Sequence, residues 1–299
     1  MKRALITGIA GMDGSYLADL LVSKGYEVYG LQRHSSHPDK WHRIKHLEGK
    51  VNILTGDVTD PTAVQRAFDR ARPHEVYHEA DQDSVEDSWD SPAAQIDVTI
   101  KGALNVIRAS EEFVTNDIIP SFSCKLFLPL SATIFKPSLQ RLDEKSWIVP
   151  RSPYAVCKSA IMDLANIWRE QRRLWISCGI LFSHDSPRRG QGYLLQRIAC
   201  GEPLWGDTNT TVDIGHAEDY MQAAWLTMQQ DEPTDWVIGT GRAFKISTLA
   251  NCGTVPDVVE TPSWIADSDK LRSATGWKPK HDAATVLAEI KDNLKRAKT

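Results

Sequence analysis

Through the first half of the chain, short apolar or β-branched runs alternate with longer stretches whose apolar positions recur at helical spacing. Arg3 to Thr7, Glu27 to Leu31, Val51 to Leu54, Glu75 to His78, Lys125 to Leu130 and Trp175 to Leu181 read as strands. Asp13 to Ser23, Thr62 to Arg70, Ala93 to Glu111 and Tyr154 to Arg172 read as the helices between them. Strands separated by helices call for right-handed crossovers and a parallel sheet covered on both faces. The pattern therefore predicts an α/β fold, a doubly wound parallel sheet of the Rossmann type. After residue 182 it loosens into loops, short helices and turn dipeptides such as Ser186-Pro187 and Glu202-Pro203, ending on an amphipathic helix over Ala283 to Ala297. We expect residues 1–182 to form a dinucleotide-binding domain. Residues 183–299 are expected to supply mostly a smaller, discontinuous substrate lobe, with segments around 210–240 returning to the first domain.

Composition narrows the picture. The chain has 299 residues, 41% hydrophobic and 25% charged, with a net charge of -4, as in an ordinary globular protein. An acidic balance argues against nucleic acid or an anionic membrane as partner. The N-terminal run MKRALITGIAGMDG places glycines where a signal peptide needs an apolar core, and no apolar run approaches a membrane span. A cytoplasmic location is expected. Cys124, Cys157, Cys178, Cys200 and Cys252 are dispersed without a CxxC pair. They read as reduced thiols packed as small hydrophobes, and no metal site is expected.

Gly8, Gly11 and Gly14 lie between the first strand and the first helix. That junction suits a tight turn, close approach of backbone to a pyrophosphate, and a helix N-terminus facing the phosphates. Where the second strand ends, an NAD enzyme usually carries a carboxylate for the adenine ribose. Here Gln32, Arg33 and His34 stand there, and a cation favours a 2′-phosphate, hence NADP(H); a solvated loop arginine is the plainer alternative. Asp57 and Val58 follow the third strand, placed to meet the adenine, although Asp57 could equally form a turn. Tyr154 and Lys158 share a helix face at i, i+4. An ammonium beside a phenol favours the phenolate and lets the tyrosine exchange a proton with a sugar hydroxyl. That spacing alone is common by chance. Ser131, just past the fifth strand, strengthens it, because active sites of parallel sheets gather at strand ends.

The segments TGIAGMDGSYLADLLVSKGYEVYGLQRHSS, PRSPYAVCK, GILFSHDSPRRG and GHAEDY together resemble the GDP-mannose 4,6-dehydratase family, extended short-chain dehydrogenases/reductases that act on nucleotide sugars with NADP. The resemblance runs across nearly the whole chain. It implies that Ser131, Tyr154 and Lys158 are the catalytic hydroxyl, base and lysine. It further implies that Thr7, Gly8, Gly11, Asp13, Gly14, Arg33, Asp57, Val58, Ala80, Tyr154, Lys158, Leu181, His184 and Arg189 line the cofactor. Ser88, Ser183, Arg197 and the stretch from Val212 to Gly215 would face a nucleoside-diphosphate sugar, expected to be a GDP-hexose. A homodimer or homotetramer is implied in the same way.

Departures matter as much as matches. The family carries Glu two positions after its catalytic hydroxyl, where it handles the C5 proton; here that position is Thr133, which is no carboxylate base. Ser-Ala-Thr is instead similar to the epimerases that move a hydride at C4 without dehydration. EDSW and RSATGWKPK are similar to GDP-4-keto-6-deoxymannose reductase. After the fourth strand, Glu79, Asp81 and Asp83 flank Ala80 and Gln82. One of these acids could replace the lost Glu, but they read first as exposed acidic surface. The expected function is thus NADP-dependent hydride transfer at sugar C4, either within a dehydratase or in a ketosugar reductase or 4-epimerase. A non-catalytic NADP-binding protein is the remaining reading, and retention of Ser131, Tyr154 and Lys158 argues against it.

Overall fold

In the computed structural model the described residues are 1–33, 38–116, 124–204 and 207–296. His34 and Ala297 lie outside them. Among the described residues, strands β1 (Arg3–Thr7), β2 (Glu27–Gln32), β3 (Val51–Thr55), β4 (Glu75–His78), β5 (Lys125–Ser131) and β6 (Ile176–Leu181) follow one another along the first half. Then come β7 (Ser183–Asp185), β8 (Thr211–Val212), β9 (Ile214–His216), β10 (Asp235–Ile238) and β11 (Phe244–Lys245). The helices are α1 (Met12–Ser23), α2 (Pro61–Ala71), α3 (Asp87–Asp90), α4 (Pro92–Gln95), α5 (Gly102–Asn116) and α6 (Pro153–Arg172), followed by α7 (Leu194–Cys200), α8 (Ala217–Met228), α9 (Ile246–Ala250), α10 (Asp269–Thr275) and α11 (Ala283–Arg296).

Seven parallel strands form the main sheet in the order β10-β6-β5-β4-β1-β2-β3. The strand sequences explain the arrangement. β4 and β6 are buried at every position, as strands covered on both faces must be. The sequence pattern located six of the seven strands; β10, which pairs with β6, lies in the loosely patterned half. The doubly wound fold predicted above is therefore the observed one.

Local signals set the helix starts. Asp60 accepts the amide of Thr62 and Ser152 that of Ala155, and Pro61 and Pro153 occupy the first turns of α2 and α6. The single helix expected over Ala93 to Glu111 is instead α4, a π-helical turn over Ile96–Lys101, and α5. Wider π turns occur mostly as short insertions near functional sites. A second hydrophobic cluster gathers residues of the later half, including Leu195, Phe244, Leu249 and Val286. Cys124, Cys157 and Cys178 are buried as expected, whereas Cys200 and Cys252 are exposed.

Candidate active site

The C-terminal ends of β1, β4, β5 and β6 converge on one edge, and the loops leaving them build the site. β1 delivers Thr7 into the glycine loop. Gly8 adopts φ +72°, and a Cβ there would stand 2.8 Å from the Ala80 backbone. At Gly14 a Cβ would meet the Gly8 carbonyl oxygen at 2.4 Å. Both positions therefore need glycine, since backbone cannot yield as a side-chain tip can. Gly11 stands before α1 in extended conformation and has no side chain with which to cap the first turn. Open N–H groups, a favourable dipole and closely packed glycine backbone fit a dinucleotide pyrophosphate.

β5 ends on Ser131, one residue further than the pattern predicted. The Ser131 hydroxyl lies 2.9 Å from that of Thr133 and accepts the Thr133 amide at 3.3 Å. Across from it, α6 presents Tyr154 and Lys158 from its first two turns, both buried. The Lys158 ammonium donates to the Pro129 carbonyl at 2.8 Å and sits 5.7 Å from the Tyr154 ring centroid. Burial pushes the Tyr154 phenol up to about 12, outweighing the opposing pull of Lys158. The structure thus brings Ser131, Thr133, Tyr154 and Lys158 together.

The loop after β4 requires a correction. Glu79 and Asp81, expected as exposed acidic surface, turn inward because they leave the strand between the glycine loop and α6. Asp81 Oδ2 lies 2.6 Å from Lys158 Nζ, with the two side chains 12% and 4% exposed. Burial disfavours the Lys158 charge, yet Asp81 and Tyr154 hold the ammonium above its ordinary range. Among the described residues, the buried Glu79 Oε1 has no hydrogen-bond partner. Burial, reinforced by Asp13, lifts the Glu79 carboxyl to about 8. Asp83 matches the expectation: it is 57% exposed and pairs with Arg189 at 2.9 Å.

Other predicted positions divide. Asp13 faces His184 at 3.0 Å; burial opposes its charge, but His184 holds the carboxyl below the usual range. Arg189 stacks on Tyr193 at 3.7 Å. Leu181 ends β6 in register with Ser131. Arg33 is exposed at the end of β2. Asp57 accepts the amide and hydroxyl of Thr59, the turn-forming role, and Val58 is buried against Gly102. Ser88 donates to the Val85 carbonyl at 2.6 Å, and Arg197 donates to the Pro203 carbonyl and pairs with Glu202. Both are engaged by their own local chain. Ser183 is exposed on β7, and Val212 pairs with Phe244 across β8 and β11. Sequence reasoning missed Arg43, which donates to the carbonyls of Ala10 and Arg188 beside the glycine loop. It also missed Thr99, whose hydroxyl donates to Asp81. No spacing signal marks either residue.

Comparison with known proteins bears on most of the chain. The family described as GDP-mannose 4,6 dehydratase matches residues 5–264. A GDP-mannose 4,6-dehydratase of Vibrio cholerae is 34% identical over 263 residues, covering 82% of this chain and 69% of the relative. The human GDP-mannose 4,6 dehydratase is 35% identical over 263 residues, covering 81% and 69%. Among solved structures, UDP-glucose 4-epimerase of Thermotoga maritima superposes with a TM-score of 0.84 over 99% of both chains, at 22% identity. The last likeness is one of fold. Among the described residues no helix is long and apolar enough to cross a membrane.

Proposed function

Because the chain belongs to the GDP-mannose 4,6-dehydratase family, we propose that it is an NADP-dependent enzyme that moves a hydride at C4 of a nucleoside-diphosphate hexose, with GDP as the expected nucleotide. The carrying observation is the juxtaposition of Ser131, Tyr154 and Lys158 beside a glycine loop whose helix N-terminus has no side-chain cap. When bound, the nicotinamide cofactor would accept or give the hydride. Gly8, Gly11 and Gly14 would hold its pyrophosphate, and Arg33 the 2′-phosphate. Asp13, His184 and Arg189 would line the same groove. Lys158 would anchor the nicotinamide ribose.

The chain's own residues supply the proton chemistry. Ser131 orients the C4 oxygen, and Tyr154 exchanges its phenolic proton with that oxygen. Lys158 tunes the phenol by its charge. The two-lobe division near residue 182 would place the sugar over these groups, with Ser183 and Val212 on the substrate side. Arg197 belongs to that set only after release from Pro203 and Glu202.

Family membership implies dehydration. A second reading, ketosugar reduction or 4-epimerisation without dehydration, is favoured by Thr133. Its hydroxyl contacts Ser131 at 2.9 Å and provides no carboxylate to take the C5 proton. Incubating the purified protein with GDP-mannose and NADP⁺, and separately with a GDP-4-keto-6-deoxyhexose and NADPH, tests both. Loss of water in the first reaction supports dehydration; reduction in the second without water loss in the first supports the alternative. Binding of NADPH with no turnover of either sugar overturns the enzymatic reading.

A further inference from the structure

The pairing of Asp81 with Lys158 changes what Tyr154 can do. A buried ammonium is costly unless paired, and the position of its partner sets the field felt by its neighbours. An unpaired ammonium near a phenol acts as a point charge that favours phenolate. Here a carboxylate oxygen stands 2.6 Å from Lys158 Nζ, closer than the Tyr154 ring centroid at 5.7 Å. The approach lies off the axis of an aligned hydrogen bond, so the contact is an ion pair. To the phenol, the pair is a dipole, whose field falls off faster than that of a single charge.

The carboxylate is also fixed in place. Asp81 Oδ1 accepts the Gln82 amide at 2.8 Å and the Thr99 hydroxyl. Thr99 accepts from the Gln95 side-chain amide at 2.6 Å, and that amide also donates to the Gln82 carbonyl at 3.0 Å. Gln95 and Thr99 are fully buried, and the π-helical turn over Ile96–Lys101 carries Thr99 to this position. Asp81 is therefore tethered from the loop after β4 and from the helical segment packed against α6.

We propose that Asp81 is a positioning residue for Lys158: by occupying the lysine's charge it keeps Tyr154 in its protonated, proton-donating form through the neutral range. The inference rests on the assignment of Tyr154 and Lys158 made above. In the reductive direction the carbonyl carbon takes a hydride from the dihydronicotinamide as its oxygen takes the Tyr154 proton. The sugar is reduced, NADPH is oxidised to NADP⁺, and the phenolate regains its proton from water. Other titratable groups surround the pair. Asp13 lies on α1, His78 at the end of β4, Glu79 and Asp83 on the following loop, and His184 and Arg189 on and after β7. Among the described residues, Asp81 is the one in direct ionic contact with Lys158. Burial is the main cause of the high Tyr154 phenol, with Lys158 pulling it down and Asp81 pushing it up.

The test is a direct titration of Tyr154 in the full-length protein, using ¹³Cζ-labelled tyrosine and Tyr154→Phe for assignment. The wild-type phenol is expected to stay protonated through the neutral range. In Asp81→Asn and Asp81→Ala its midpoint should fall by about one to two pH units, the usual effect of an unmasked neighbouring cation. Asp81→Glu should restore most of the difference. In the pH–rate profile, the alkaline limb for sugar oxidation should move down by the same interval, while reduction near neutral pH changes little. An unchanged phenol midpoint in both neutral variants overturns the proposal. Should neither fold, Thr99→Val is titrated instead; a smaller drop is expected, and none overturns it. Failure of the underlying assignment is separable: Tyr154→Phe would then transfer hydride at the wild-type rate, whatever the phenol titration shows.

Discussion

Two aspartates largely shielded from solvent, Asp213 buried and Asp81 half-buried, sit in opposite circumstances. Asp213, between β8 and β9, accepts backbone amides from Thr240, Gly241 and Ala266, together with the Thr240 hydroxyl. Burial raises its carboxyl against these donors, but each oxygen has partners from the backbone. Asp81 has a lysine, a hydroxyl and one neighbouring amide, and its Oδ2 lacks an aligned donor. Depth alone does not separate a structural acid from a functional one. What separates them is whether the lone pairs end on fixed backbone or on groups that can exchange protons. Asp213 ties the β8–β9 junction to the segments carrying Thr240 and Ala266. Asp81 sets the charge around Tyr154.

The sharpest way to break this contrast is to remove each site's central group. Tyr154→Phe should keep the fold, because only a hydroxyl is lost, while lowering the rate of sugar conversion by roughly 10²- to 10⁴-fold. Steady-state kinetics beside a thermal melt checks this, and near-wild-type turnover would remove Tyr154 from the chemistry. Asp213→Ala should do the reverse. It strands buried amides without an acceptor and should cost about 3–5 kcal/mol of stability. Urea unfolding measures that loss, and a change below about 1 kcal/mol would show that the amides find other partners.

Glu79 offers a smaller effect with a defined sign. Its carboxyl titrates near 8 in the folded chain against 4.5 for an ordinary glutamate. Between these values the folded state keeps a proton that the unfolded state releases, so stability falls as pH rises across that window. Glu79→Gln should flatten this slope and gain on the order of 1–3 kcal/mol near pH 8. Parallel denaturation curves at pH 5 and pH 8 decide the matter; equal slopes in both proteins would place the Glu79 carboxylate in contact with water. The smallest effect is expected at the edge of the sheet. Arg33→Ala should weaken NADPH about tenfold, the scale of one charge-assisted contact, and leave NADH unchanged. Equal losses for both cofactors in a binding titration would detach Arg33 from the 2′-phosphate.

Much of the fold was legible because parallel strands buried on both faces must be nearly continuous apolar runs, as in Ile176–Leu181. The glycine loop and the Tyr154/Lys158 spacing were legible because backbone approach and helix geometry restrict residue type and interval. What escaped was set by direction and not by pattern. Acids after a strand usually meet solvent, and nothing local distinguishes Asp83, which does so, from Asp81, which turns in towards α6. The π turn over Ile96–Lys101 keeps a helix-like apolar spacing, so the sequence does not announce that Thr99 reaches Asp81. The structural role of Asp213, in a stretch expected to face the sugar, was hidden for the same reason, since its donors are backbone amides of distant segments.

The most direct measurement of the central claim is isotope transfer at the reacting carbon. Stereospecifically 4-deuterated NADPH is mixed with the full-length protein and a GDP-4-keto-6-deoxyhexose, and the sugar is examined by NMR. Deuterium is expected at C4 with wild-type protein and almost none with Tyr154→Phe. Cofactor binding with no deuterium at C4, or labelling that survives the loss of the Tyr154 hydroxyl, would contradict it.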